Sequence, residues 1–479
     1  MRATAWMLAS AIAWFAPSPA AVMGQTANKV QLRYTGLALP SLLDSNSNSS
    51  GDGDLLAAPG GGDGLEELEA MRTQPAGRAA DALPGAGHGQ DRASRDGLAE
   101  GADPHADVFA ETLYPSALKC AKCHQKIYDE WRVSAHAYAA VSPMFQRFEQ
   151  AMTNITQGTV GYFCIRCHAP VATQMEFPRE APIMDGPAVF REGITCVACH
   201  RVVERYGRVN GERRIEPGDI FQPVVGNLGG QGTARVIADA DNFKVKLDPH
   251  DKRPGQEMHR GAIQFQQLSE SSFCVSCHQV VVHPGVSLEV VWAQYRASPA
   301  RARGVTCQGC HMGLEPGKAL GYECAPAAVI NGKEIWSNES GGRAQKHSNH
   351  MFHGPGNSIA HPGLFPHNEK SLRWNVEQWL QFDWRAGWGT PEFEQRFAAS
   401  SAGEDAGFPP TWSTTDERRD ARKVLDDNFR LLDLKREDAT RTLGNAACID
   451  GPTITSSRRA GEDLQVRYVV RNLSDGHNL

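Results

Sequence analysis

Five Cys-x-x-Cys-His units stand out: Cys120/Cys123/His124, Cys164/Cys167/His168, Cys196/Cys199/His200, Cys274/Cys277/His278 and Cys307/Cys310/His311. Ten of the chain's 12 cysteines lie in them. By chance this composition would give about 0.01 such units, so the pattern is chemical. Zinc ribbons use Cys-x-x-Cys pairs without requiring the adjacent His. A thioredoxin-like redox site uses one unit, not five. Covalent c-type haem explains all three positions, because two thiols add to the haem vinyl groups and the adjacent His reaches the iron. The expectation is five covalent haems, each with its motif His as proximal ligand.

Four of the units form two couplets. "FCIRCH" at 163–168 precedes "GITCVACH" at 193–200, and "FCVSCH" at 273–278 precedes "GVTCQGCH" at 304–311. The segments between them have similar lengths, 169–192 and 279–303. This reads as a duplicated two-haem module whose short tether keeps its two irons close. The unit at 120–124 stands apart and is followed by "EWRVSAH" at 130–136. "QYRASPA" at 294–300 echoes it, with Ala300 where His136 stands.

The second axial position of each iron decides between carrier and catalyst. A second His gives an electron carrier, and an open position admits a small molecule. Of 17 histidines, five are proximal and two, His88 and His105, lie in a polar stretch read as solvated. The distal candidates are His136, His259, His350, His353 and His361. The last three belong to "HSNHMFHGPGNSIAHPGLFPHN", with His347 and His367. Such a Gly/Pro loop suits a strap reaching several irons, or alternatively a divalent-metal site. His250 and His283 read more simply as turn residues. Met312 reads as haem packing, and His477 receives no role. Cys324 and Cys448 are spare, and the alternatives are a disulfide between them or free thiols.

The elements that must position these groups divide the chain. Residues 1–24 read as a signal peptide, with Arg2, an apolar run over 3–16 and small residues at Ala20 and Ala21. The run is shorter than the roughly 20 apolar residues that span a bilayer, the membrane anchor being the alternative. No later segment is long and apolar enough to span. A periplasmic or secreted protein follows, where c-type haem is attached. Residues 25–112 read as a disordered acidic linker rich in Gly, Ser and Asp, with a transient helix at 64–72.

Residues 113–315 form the pentahaem domain, 316–445 a His-rich haem-wrapping segment with helices, and 446–479 the start of a β domain. The fold class expected is mainly α, with extensive irregular loops wrapped around haems. Helices are expected at 125–139, with Ile127, Trp131, Ala135 and Tyr138 on one side, at 287–298 and at 416–435. The stretch 201–260 reads as a short hairpin and loops. A strand at 463–473 lacks an evident partner, which suggests a truncated sequence, and a partner strand elsewhere is the alternative.

The net charge of −6 gives no basic excess for nucleic acid. Haem propionates add to that negative charge, so redox partner proteins with basic docking patches are expected.

"YDEWRVSAHAYA", "GVTCQGCHM" and the paired spacing resemble the multihaem c-type cytochromes related to the tetrahaem electron acceptor of hydroxylamine oxidation. The resemblance covers 113–315. It implies electron transfer, and it implies a distal-ligand role for His136, which stands in the matching "S-x-H-A" helix. The closing "VVRNLSDGHNL" is similar to the start of a β domain found after the haems in some relatives. Pentahaem nitrite reductases share the haem number, but their catalytic haem is attached by Cys-x-x-Cys-Lys, which is not found here. The reading is an electron-transferring multihaem cytochrome. The alternatives are an oxidoreductase with one open iron acting on a small nitrogen or sulfur compound, and a subunit of an extracellular electron conduit.

Overall fold

The computed structural model describes residues 105–478, apart from 206, 208, 212, 283–284, 338–344, 400–406, 457–458 and 462. The signal-peptide reading, the linker up to 104 with its transient helix and His88, and His283 lie outside the described residues. The linker's last residues are helical, as Ala106–Leu113, with Asp107 in the first turn and Ala110 fully buried. Ala110 and, just beyond it, Tyr114 join the core.

Among the described residues helices and irregular loops dominate, joined by six small two-stranded sheets. Several of the short helices begin at a capping serine. Ser116, Ser134 and Ser142 each accept a backbone N–H two or three residues on, and Pro143 opens the helix after Ser142. The helix expected over 125–139 is thus two, Gln125–Trp131 and Ala135–Tyr138. Their buried face holds Tyr128, Trp131 and Ala137 rather than Ile127 and Ala135. Similarly, 287–298 divides into a strand, Val286–Glu289, and a helix, Val291–Arg296. In the 201–260 region Val202 and Ile215 form an antiparallel bridge across the turn at 210–211, a minimal form of the expected hairpin. The region's strands Val224–Gly226 and Val245–Lys246 make parallel pairs with Ala262–Gln264 and Gln256–Glu257.

The core is split among several apolar clusters. One joins Tyr114, Phe145, Ile165, Phe190 and Val197. Another joins Tyr128, Trp131, Val141 and Phe365. A third packs Trp374, Trp379, Phe382 and Trp412 against Ala421, Val424 and Leu425 of a long helix, Thr415–Ala446. Thr414 caps that helix, and Asp416 and Glu417 favour its N-terminal dipole.

The helix runs directly into a strand, Ala447–Ile454, which pairs antiparallel with Val466–Asn472. The late strand therefore has a partner, supplied just after the helix. Cys324 and Cys448 are both free thiols, on different sheets. No helix among the described residues is long and apolar enough to cross a membrane.

The tryptophan cluster is tied to the helix by an ion pair removed from water. Arg418 Nη2 lies 2.5 Å from Glu394 Oε2, both side chains being essentially inaccessible. Arg418 also donates to the Trp412 and Ser413 carbonyls. Glu394→Ala strands a buried guanidinium charge and is expected to cost about 3–5 kcal/mol. Urea unfolding followed by circular dichroism checks this.

Candidate haem-binding site

Each Cys-x-x-Cys-His unit occupies one helical turn. His124, His168 and His278 donate their backbone N–H to the carbonyl of the first Cys, at 2.9, 3.3 and 3.1 Å. Cys196–His200 and Cys307–His311 are short helices outright. One turn brings residues one, four and five to the same side. That is the geometric reason for the spacing.

The histidines sort by which ring nitrogen the protein uses. A His that binds a metal through one nitrogen normally anchors the other on a hydrogen bond. Among the described residues, four of the five motif histidines anchor Nδ1 on a backbone carbonyl. The partners are Ala327 for His124 at 2.8 Å, Ala139 for His168 at 3.1 Å, Val225 for His200 at 2.8 Å and His353 for His311 at 2.7 Å. Nε2 is thereby left for the iron. His259 and His350 repeat the pattern, with Nδ1 on the Gly261 and Ser348 carbonyls at 2.9 and 2.7 Å. The Nδ1 of His136 is buried with no hydrogen-bond partner.

His353 and His361 are set apart from these three. His353 donates through Nδ1 to Asp438 at 2.6 Å and through Nε2 to the Gly313 carbonyl at 3.0 Å. The His361 Nδ1 accepts the Gly363 N–H at 3.0 Å while its Nε2 faces the Phe382 carbonyl at 3.3 Å. Neither ring keeps a free lone pair. His353 serves by its carbonyl instead, as the anchor of His311. His347 is held by Glu130 at 2.7 Å, and Glu130 also accepts the His350 N–H at 2.9 Å. Glu130, Glu323 and His347 are the described group closest to the divalent-metal alternative, and the rest of the strap does not join them. His367 meets the Tyr128 hydroxyl at 3.0 Å. His250 sits exposed in a turn closed by Asp248.

Distances between rings test the fit to haem. Two imidazoles bound on opposite faces of one iron, each about 2 Å from it, have ring centres roughly 6 Å apart. His136 and His278 are 6.3 Å apart, as are His200 and His350. His311 and His477 are 5.9 Å apart. Sequence reasoning left His477 without a role. The available signal was weak, a lone His in a polar turn. His259 lies beside His124, which acts on it electrostatically. Burial first, then these neighbouring imidazoles, lower the pKa of His136 and His350 to about 3 and of His259 to about 4. The rings are thus neutral, as ligands must be. The donor set fits haem.

His168 differs from the others. Phe145 lies flat on its ring, 4.0 Å centre to centre and 6° from parallel, and no imidazole among the described residues stands across from it. A cavity of about 310 Å³ lined by Arg166, Thr173, Gln174, Arg213 and Arg214 adjoins this unit.

The units touch in an order different from their order in sequence. The thiols of Cys120 and Cys196 are close neighbours. So are Cys167 and Cys277, and Cys274 and Cys307. The second couplet therefore meets internally, as its tether suggested. The first does not meet in this way among the described residues, because its members pair outward, one with the 120–124 unit and one with the 274–278 unit. Two charged side chains hold these junctions. Buried Glu192 accepts from Ser116 Oγ, from Ala117 N at 3.0 Å and from Thr195 Oγ1 at 2.5 Å. Arg213 reaches Cys199 Sγ at 4.0 Å, bonds the Phe273 carbonyl and lies over the Phe273 ring. Neither residue carried a sequence signal, since each acts across long separations.

Residues 119–201 match the family model for cytochrome c554 and c-prime. No curated protein and no solved structure matches the chain. The family match supports a c-type cytochrome with covalently bound haem.

Asp438 connects this site to stability. Burial disfavours its charge, but hydrogen bonds from His353 and Lys435 outweigh that and hold its carboxyl below the usual range. A depressed carboxylate stabilises the fold above its unfolded pKa, and this is lost as pH falls through the folded value. Asp438→Asn is expected to cost about 1.5–3 kcal/mol at neutral pH. The difference from the parent should narrow below about pH 4. Urea unfolding over a pH series checks the sign.

Proposed function

We propose that the chain is a multihaem c-type cytochrome that binds five covalent haems and passes electrons between redox partner proteins outside the cytoplasmic membrane. The observation that carries this reading is the set of opposed imidazoles about 6 Å apart, beside thiols that meet from unit to unit. When bound, haem iron supplies one-electron redox chemistry.

The protein's part is to attach, orient and insulate. The paired cysteines fix each group within one helical turn. His124, His168, His200, His278 and His311 present Nε2 from one side, with four of the five steadied by a carbonyl. His350 and His136 face His200 and His278 from the other side, and His259 lies near His124, which acts on it electrostatically. Electron exchange needs close groups whose surroundings change little between charge states, and buried, hydrogen-bonded rings supply this. The unit contacts support a route from the 120–124 unit through 196–200 to 274–278, and on to 307–311, with 164–168 joined at 274–278. The Cys199 thiol acts electrostatically on Cys274, which supports the middle step. The negative net charge favours partners with basic docking faces, and the leader-like N-terminus favours a periplasmic or secreted location.

A second reading is favoured at one place. The 164–168 unit has Phe145 against its His and a cavity lined with arginines beside it. This suits an iron open to a small nitrogen or sulfur compound.

Mass spectrometry of the purified protein is expected to give the polypeptide plus five haems. Electron paramagnetic resonance of the oxidised form is expected to be dominated by low-spin signals. A wholly low-spin spectrum supports a pure carrier. A high-spin signal of one haem per chain, shifted by nitrite or hydroxylamine and removed with the Cys164/Cys167 attachment, supports the second reading. A predominantly high-spin spectrum would overturn the carrier assignment.

A further inference from the structure

We infer that His477, in the turn after the C-terminal hairpin, is the second axial ligand of the haem attached at Cys307 and Cys310. This rests on the haem reading above and adds a ligand supplied by a segment far from any haem-binding motif.

The geometry separates ligation from simple ring packing. The rings of His311 and His477 are nearly parallel, at 9°, but their centres are 5.9 Å apart. Rings in contact lie closer, as Phe145 on His168 does at 4.0 Å and 6°. The wider gap matches that of His200 with His350, at 6.3 Å. The ring nitrogens agree. His477 Nδ1 is held by the Asn478 carbonyl at 2.7 Å. This is the anchoring seen in His200, His259 and His350, and it leaves Nε2 for a metal.

The turn that carries His477 is closed on itself and pinned to the haem domain. Asn472 Nδ2 donates to the His477 carbonyl at 2.8 Å, and the Ser474 N–H returns to Asn472 Oδ1 at 2.9 Å. The Asp475 carbonyl accepts the Ala300 N–H at 3.1 Å. The Asp475 carboxylate pairs with Arg303, and the Asn478 N–H reaches Gln294 Oε1 at 3.1 Å.

The docking point has meaning within the internal repeat. Segments 130–136 and 294–300 occupy equivalent places against their haem units. Ile194 N donates to the His136 carbonyl at 3.0 Å, and Val305 N to the Ala300 carbonyl at 3.0 Å. Trp131 Nε1 bonds the Ile194 carbonyl at 2.9 Å, and the Tyr295 hydroxyl bonds the Val305 carbonyl at 2.9 Å. Ser134 and Ser298 cap the two turns alike. In the first copy the last position is His136, whose ring faces His278. In the second copy it is Ala300, which has no imidazole to offer, and its backbone binds the turn bearing His477. The hairpin thus brings in from outside the repeat the imidazole that faces His311.

The test uses the full-length, haem-loaded protein and its His477→Ala variant. Haem number by mass spectrometry comes first, because a protein without covalent haem would sink the underlying reading rather than this one. With the haem number unchanged, the variant is expected to lose one low-spin haem per chain and gain one high-spin haem. Added imidazole should reverse the change, and the reduced variant should bind one more equivalent of carbon monoxide than the parent. An unchanged low-spin population with no extra carbon monoxide binding would overturn the assignment. If the alanine variant does not accumulate, His477→Met decides, because a thioether in place of imidazole raises the potential of one haem. Five unchanged potentials in that variant would overturn it equally.

Discussion

An imidazole that offers Nε2 to a metal carries its proton on Nδ1, and a hydrogen-bond acceptor there normally fixes the ring. This arrangement organises much of the described chain. The acceptors are backbone carbonyls from distant segments: Ala327 for His124, Ala139 for His168, Val225 for His200 and His353 for His311. Each draws a loop or short strand onto a motif turn. The irregular backbone therefore has an accounting reason. Its carbonyls are spent on histidines rather than on long ladders, which fits the many two-residue and three-residue strands.

A second constraint acts where the units meet. Glu192 binds the turn leading into the 120–124 unit and the threonine leading into the 196–200 unit, so one buried carboxylate sets their approach. Gly193 lies beside it with φ of +64°, and a Cβ there would stand 2.3 Å from the His136 carbonyl. The glycine in the repeated Gly-[Ile/Val]-Thr signature thus has a steric role in the first copy. It lets the element carrying His136 close on the unit while its ring points to another. Arg213 acts similarly at the junction of the 196–200 and 274–278 units. The loop around it lies so near the 164–168 unit that a Cβ on Gly211 would be 2.7 Å from Cys167 Sγ.

The C-terminal half supports the site from outside. The long helix after Thr414 carries the tryptophan cluster on one part of its length and Asp438 on another. Asp438 orients His353, whose carbonyl in turn orients His311. Stability and ligand geometry are thus coupled through one buried carboxylate. The exposed apolar residues of the hairpin strands, such as Ile449 and Val470, play no part in this chain of contacts.

Much of the site was legible in the sequence, for a local reason. The candidate attachment motif is confined to five consecutive residues, so Cys-x-x-Cys-His can be read wherever it stands. The duplicated signatures and the echo of 130–136 in 294–300 were legible too, because repeats preserve local pattern. Helix limits were less so. Ser134 breaks the 125–139 periodicity by capping a new turn, and the strand at 466–472 finds its partner only after a 32-residue helix.

The sequence by itself placed the five Cys-x-x-Cys-His motifs and the imidazole adjoining each pair of thiols. Only the tertiary structure decided which histidines keep a free nitrogen, which ring faces which, and which units touch. Those are properties of residues brought together across tens to hundreds of positions. His353 and His361 look like His350 in the sequence. They differ because Asp438, Gly313, Gly363 and Phe382 have already taken their nitrogens.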